Sequence, residues 1–163
     1  MHPCSPRSVA DVAPALADLA AALDLQVAPD LRGAVGSAGA LAPLGLRAFV
    51  PIWRRPRMTV AADTYGASLL AEIGVTVVGA GSATAGDRYP VVELADVAAA
   101  GVDVVLAPSE PYSFKPLHLE ALATVAPVVR VDGQDLFWWG LRTPRAARAL
   151  HAALSEALPS ISR

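Results

Sequence analysis

Apolar positions recur at helical steps at the start of the chain. Val9, Val12, Leu16, Leu19 and Leu23 are spaced by three and four residues, which places them on one helix face. Ser8 followed by Asp11 reads as a capping box, with an acidic residue at the positive helix end. Pro14 fits if the helix begins nearer Asp11 or is kinked there. A second helix is expected from about Pro29 to Ala42. Gly33, Gly36 and Gly39 each cost it stability and lay a smooth face for close packing.

From Leu46 the pattern changes. Ala48 to Ile52 reads as a strand, with Pro51 pushing it toward an edge or a strand end. Tyr65 to Ile73 reads as a helix, capped by Asp63 or Thr64 and stopped by Gly74. Strands follow at Val75–Val78, Val102–Leu106 and Pro127–Val131. They alternate with helices at Leu94–Ala100, Leu117–Thr124 and Thr143–Leu158. The Val102–Leu106 run, nearly all apolar, suits a buried parallel strand. Two helices followed by β-α-β-α-β-α-β-α predict an α/β fold: a mostly parallel four-stranded sheet flanked by helices, preceded by N-terminal helices. The expected division is an N-terminal helical segment over 1–45 and an α/β lobe over 46–163.

In open α/β sheets, ligands bind beyond the carboxyl ends of the strands. Four expected loops lie there: Trp53–Ala62, Gly79–Val92, Pro108–Pro116 and Asp132–Arg142. Seven of the nine aromatic residues fall in them: Trp53, Tyr89, Tyr112, Phe114, Phe137, Trp138 and Trp139. Arg54, Arg55, Arg57 and Arg88 share that rim with Asp63, Asp87, Glu110 and Asp135. Aromatic faces with a few charges suit a large, flat, partly apolar ligand. The plainer alternative is that these loops fold back and bury their aromatics as satellite clusters.

Composition narrows the classes further. The 163 residues are 54 % hydrophobic and 17 % charged, so the chain folds. A net charge of −2 lays no basic field for nucleic acid. One cysteine, Cys4, leaves no disulfide framework and no cysteine-rich zinc site. The apolar segment Val12–Leu23 carries Asp18 and falls short of about 18 uninterrupted apolar residues. With Asp11 it also fails as a signal peptide.

Catalytic patterns are sparse. His2, His118 and His151 lack metal-ligand spacing, and the latter two lie on expected helices in surface or packing roles. Gly79-Ala80-Gly81 with Gly86 resembles a piece of a dinucleotide fingerprint, but Asp87-Arg88-Tyr89-Pro90 follows where a helix should begin. There is no phosphate-binding loop and no serine in a nucleophile elbow, so no cofactor is expected. A small α/β enzyme using Asp63, Asp135 or Glu110 with the arginines is the remaining catalytic alternative.

Several stretches together resemble one family. They are Phe49-Val50-Pro51-Ile52-Trp53-Arg54-Arg55-Pro56, Arg88-Tyr89-Pro90, and Leu106-Ala107-Pro108-Ser109-Glu110-Pro111-Tyr112-Ser113-Phe114. Val131-Asp132-Gly133 followed by Trp138-Trp139-Gly140 completes the series. Their order and spacing are similar to the helical-backbone metal receptors, the substrate-binding proteins of ABC importers for cobalamin, ferric siderophores and haem. The resemblance covers the connecting helical region and the C-terminal lobe of that periplasmic-binding-protein-like architecture.

The resemblance implies a binding protein and not an enzyme. It implies ligand-facing roles for Trp53, Arg54, Arg55, Tyr89, Glu110, Tyr112, Phe114, Asp135, Trp138 and Trp139. The aromatics would stack on a corrin, porphyrin or catecholate, and the arginines would pair with its carboxylates or phosphates. It also implies transporter docking by Glu93 or Asp96, either of which could equally be stabilising a helix N-terminus. Implied partners are a metal-chelate small molecule, an ABC permease, and an N-terminal lobe or a second copy of the chain. The family is extracytoplasmic; with neither signal peptide nor lipobox, the sequence as written reads as cytoplasmic, and the compartment stays open. The competing reading is a truncated or split receptor half that acts mainly through protein–protein association.

Overall fold

A computed structural model of the chain describes residues 5–25, 41–79 and 87–161. A short 3-10 turn, Val9–Asp11, leads directly into helix α1, Val12–Ala22. The Asp11 carboxylate accepts from the backbone N–H of Ser8 at 2.9 Å and of Arg7 at 3.0 Å, so the helix entry is closed before Pro14. Pro14 then occupies the first turn of α1, where no backbone donor is needed. The expected second helix, Pro29–Ala42, lies almost wholly outside the described residues. Leu41 and Ala42, at its end, are irregular.

Four parallel strands form the sheet: β1 (Leu46–Phe49), β4 (Val75–Val77), β5 (Val104–Pro108) and β6 (Val128–Val131), in the order β4-β1-β5-β6. Between β1 and β4 lie β2 (Pro51–Arg54), β3 (Arg57–Thr59) and helix α2 (Tyr65–Glu72). Helices α3 (Leu94–Ala99), α4 (Pro116–Ala123), α5 (Gly133–Phe137) and α6 (Thr143–Ile161) complete the chain. This is the expected α/β arrangement. Among the described residues, no helix is long and apolar enough to cross a membrane.

Side chains alternate across the sheet, as the two-residue period of a strand requires. Ala48, Val50, Val104 and Leu106 face a core shared with Val12 of α1, Leu69 and Leu70 of α2, and Leu150 and Leu154 of α6. Phe49 and Val105 face the opposite way. They meet Val97 of α3 and Leu122 of α4 in a second core. Helices therefore cover both faces, and every residue of β5 is buried.

Four expectations need correction. The expected strand Ala48–Ile52 breaks at Val50, where Pro51 offers no N–H to continue the ladder: its first half ends β1 and its second begins β2 of a separate two-stranded sheet. The stretch after Trp53 is not a loop but an antiparallel hairpin of β2 and β3, closed at Arg55-Pro56. Its second strand, Arg-Met-Thr, has no apolar alternation to announce it; what holds it is pairing. Thr59 N–H donates to the Pro90 carbonyl and Ala61 N–H to the Arg88 carbonyl, so the Arg88–Val92 segment runs along the hairpin. The expected strand Val102–Leu106 starts at Val104 and reaches Pro108. Its start is set by Asp103, whose carboxylate accepts from the Arg47 N–H at 2.7 Å. The expected loop Asp132–Arg142 contains α5, capped by the Asp132 carboxylate on Gln134 N–H at 2.9 Å.

The cap and stop of α2 follow the sequence. Thr64 accepts from Ala67 N–H, and Gly74 sits at a φ of +75°. A Cβ at Gly74 would lie 2.5 Å from the Pro43 side chain, so both conformation and space demand glycine there.

Candidate functional site

The connection leaving β1 delivers β4 to one side of it, and the next crossover delivers β5 to the other. The strand order therefore reverses between β1 and β5. In such sheets a crevice opens beyond the strand ends at that switch point. Here the β2–β3 hairpin follows β1, and the Ser109–Lys115 loop follows β5. Between them lies a cleft of about 400 Å³, lined mostly by apolar surface. Its walls are Ile52, Trp53 and Met58 of the hairpin, Tyr89, Glu110 and Pro111 of the loops, and Phe137 of α5.

Each wall is fixed by a local device. Buried Thr59 donates its hydroxyl to the Val50 carbonyl at 2.9 Å and ties the hairpin to the end of β1. Tyr89 N–H donates to the Asp87 carboxylate at 3.0 Å, and the segment's pairing with β3 sets the ring at the cleft mouth. The loop after β5 is locked to that after β6. Ser109 N–H donates to the Val131 carbonyl, and Gly133 N–H donates to the Ser109 hydroxyl at 3.0 Å. Gly133 packs against the Glu110 backbone so tightly that a Cβ would lie 2.7 Å from both its nitrogen and its oxygen.

The rim is aromatic and open. Trp53, Tyr89 and Trp138 are 44 %, 46 % and 53 % exposed. Trp53 meets Tyr112 edge-on at 5.3 Å, and Tyr112 meets Phe114 at 4.9 Å. Such T-shaped contacts hold the rings in place, the edge of one against the face of the next. Trp138 donates from Nε1 to Glu110 Oε1 at 2.6 Å, and the Arg142 guanidinium lies 6.0 Å from its ring centre.

The residues expected at the site separate into groups. Trp53, Tyr89 and Glu110 line the cleft, with Tyr112 behind Trp53 and Trp138 beside Glu110. Arg54 and Arg55 turn to a neighbouring hollow of about 370 Å³, shared with Arg57, Val91 and Glu93. Trp139 faces a smaller, more polar recess with Tyr65, Thr64 and Arg88. Phe114 is buried in the second core. Asp135 is 8 % exposed and accepts from Arg142 at 2.7 Å, so its carboxylate is committed to a protein partner. Glu93 is the N-cap of α3 and Asp96 lies in its first turn; both are exposed.

Ile52, Met58, Pro111 and Phe137 line the cleft without having been singled out as ligand-facing. For Met58 the missing signal was the hairpin itself: once β2 and β3 pair, it stands directly opposite Trp53 and shares its face. Tyr65, which lines the recess that Trp139 faces, also belongs to a buried pair. The Tyr65 hydroxyl lies 2.9 Å from Thr143 Oγ1, which itself donates to the Gly140 carbonyl at 2.7 Å. Burial pushes the Tyr65 hydroxyl above the ordinary phenol value. Among the described residues, no group of three or more His, Cys, Asp or Glu side chains is placed to hold a metal ion.

No protein-family model matches the chain, and no curated protein matches it. Solved structures do. The periplasmic haem-binding protein HutB of Vibrio cholerae aligns with a TM-score of 0.70 at 17 % identity, covering 92 % of this chain and 65 % of that one. The periplasmic haem-binding protein BhuT, solved in complex with two haems, gives 0.67 at 22 %, covering 93 % and 64 %. The periplasmic vitamin B12 binding protein BtuF of Vibrio cholerae gives 0.63 at 14 %, covering 96 % and 65 %. The chain thus spans just under two thirds of the length of each. At these identities the likeness is one of architecture. The chain has the fold of the helical-backbone metal receptor type of periplasmic binding protein, over a helix-flanked parallel lobe and the helix before it.

Proposed function

We propose that the chain is the ligand-holding lobe of a solute-binding protein for an ABC importer. It captures a flat metal chelate of the cobalamin, haem or ferric-siderophore class and presents it to a permease, with no bond chemistry. The observation that carries this reading is the aromatic cleft at the switch point of the sheet, with Trp53 and Tyr89 nearly half exposed at its mouth. Apolar walls with one acidic group favour stacking on an extended ring. Arg54, Arg55 and Arg57 stand beside the cleft to meet carboxylates at a ligand's edge. In this reading residues 46–163 hold the ligand and 1–45 form the connecting segment, Glu93 or Asp96 meets the permease, and the protein works outside the cytoplasm.

A second lobe, or a second copy of the chain, would cover the face of the ligand turned away from Trp53 and Tyr89. The openness of those rings supports this addition. Titrating haem, cyanocobalamin and a ferric catecholate against tryptophan fluorescence tests the reading. It expects saturable quenching by at least one of them. Flat titrations with all three would overturn it.

A further inference from the structure

Behind the cleft wall sits a histidine that is not part of the cleft's lining. His118 is the third residue of α4, and its Nδ1 accepts from the backbone N–H of Lys115 at 3.2 Å, closing the start of that helix. The Tyr112 hydroxyl lies 3.5 Å from the same nitrogen. The imidazole is packed against two rings, Tyr112 at 5.8 Å and Phe114 at 6.5 Å, and Tyr112 in turn backs Trp53. One nitrogen therefore anchors a chain of contacts that ends on the cleft wall.

That anchor works only while Nδ1 carries a lone pair. An N–H donor needs an acceptor, and a protonated imidazole offers none. The surroundings all oppose the charged form. Partial burial against the rings disfavours it first, and the Arg54, Lys115 and Arg55 charges add to this, holding the imidazole below its ordinary value. The positive end of α4 acts in the same direction. Arg54 and Arg55 reach it from the hairpin, Lys115 from the helix start and Tyr112 from the loop. Glu110, on that loop, is engaged with Trp138 instead.

We propose that His118 is a positioning residue: its neutral imidazole holds the Lys115–Tyr112 corner that backs Trp53, and protonation of Nδ1 releases that corner and shifts the aromatic wall. The cleft is thereby built for neutral surroundings and loosened by acid. The sign follows from the depressed affinity for protons. The contribution of His118 is complete above the ordinary imidazole value of about 6.5 and is lost as pH falls below it.

The ligand-free chain tests this, so the result does not depend on the ligand reading. Nitrogen-15 NMR resolves the three indole N–H signals, and a Trp53→Phe variant assigns that of Trp53. Between about pH 5 and 8 the Trp53 signal is expected to move with the same midpoint as the His118 ring. In His118→Gln the side-chain carbonyl still accepts from Lys115 N–H but cannot titrate, so the Trp53 signal should stay at its neutral position throughout. A Trp53 signal that stays still while His118 titrates in the unaltered chain would overturn the proposal. So would an unchanged Trp53 titration in His118→Gln.

Discussion

Trp138 and Glu110 are 28 residues apart in sequence and joined by a 2.6 Å hydrogen bond from indole Nε1 to carboxylate Oε1. The bond links the loop after β5 to the end of α5, the two segments that face the hairpin across the cleft. Because water reaches it, its worth to stability is small, about 0.5–1 kcal/mol. Its effect on the site is positional. Trp138→Phe keeps the ring and removes the donor, so urea unfolding should shift by no more than that amount. Ligand affinity should fall several-fold, because the ring is no longer held and Glu110 is freed. A Glu110→Gln variant keeps an acceptor and should lie between the two.

Gly133 is fixed by space and not by its dihedral angle. Its Cβ would fall 2.4 Å from the Glu110 side chain and 2.7 Å from the Glu110 backbone, which cannot simply rotate away. Gly133→Ala should cost about 1–3 kcal/mol in chemical denaturation, the usual range for overpacking. Binding should suffer beyond that, since Glu110 and Pro111 form one wall of the cleft.

The Asp135–Arg142 pair anchors α5 to the start of α6. Arg142 also donates to Gln134 Oε1 at 3.1 Å, so its guanidinium is held at two points while its edge approaches Trp138. The pair is mostly shielded, with side chains 26 % and 12 % exposed, so removing one partner strands the other. Asp135→Ala and Arg142→Ala should each lower stability by about 2 kcal/mol, discounted for the remaining solvent contact. The double variant should cost less than their sum. A double-mutant cycle in urea measures this.

Sequence patterning made the parallel sheet and its helices legible, because buried strands and helix faces have distinct periods. Val75–Val77 and Val128–Val131 are valine-rich runs preceded by glycine and proline, and Thr64 and Gly74 punctuate α2 in the expected way. The hairpin was not legible. Arg57-Met58-Thr59 becomes a strand by pairing with Pro51–Arg54 on one edge and with Arg88 to Val92, some thirty residues away, on the other, and local composition carries no trace of either. The site divides likewise. Loop aromatics drew attention to Trp53, Tyr89 and Trp138 at the mouth. Adjacent Trp138 and Trp139 look equivalent as letters, yet the end of α5 sends one toward Glu110 and the other into the recess with Tyr65. The ligand-facing role expected of Asp135 meets a partner the letters do not announce: Arg142, seven residues on, donates to its carboxylate.

Tyr65 gives a pH dependence at the alkaline end. Burial raises its hydroxyl above the ordinary phenol value of about 10. A raised group contributes stability that is complete below the unfolded value and is lost as pH rises through the folded one. Stability should therefore fall above about pH 10, and Tyr65→Phe should remove that part of the decline. At neutral pH the same variant should cost only about 1 kcal/mol, because Thr143 keeps the Gly140 carbonyl as its acceptor.

The most direct test of the account is whether the cleft aromatics carry ligand affinity. Dissociation constants for haem, cyanocobalamin and a ferric catecholate should be measured for the unaltered chain, for Trp53→Ala and Tyr89→Ala, and for Leu117→Ala as an exposed control away from the cleft. The account predicts that at least one ligand binds the unaltered chain and the Leu117 variant alike, and binds the two cleft variants at least about tenfold more weakly, as the loss of a stacking ring implies. Equal affinities across all four proteins, or no binding by the unaltered chain, would contradict it.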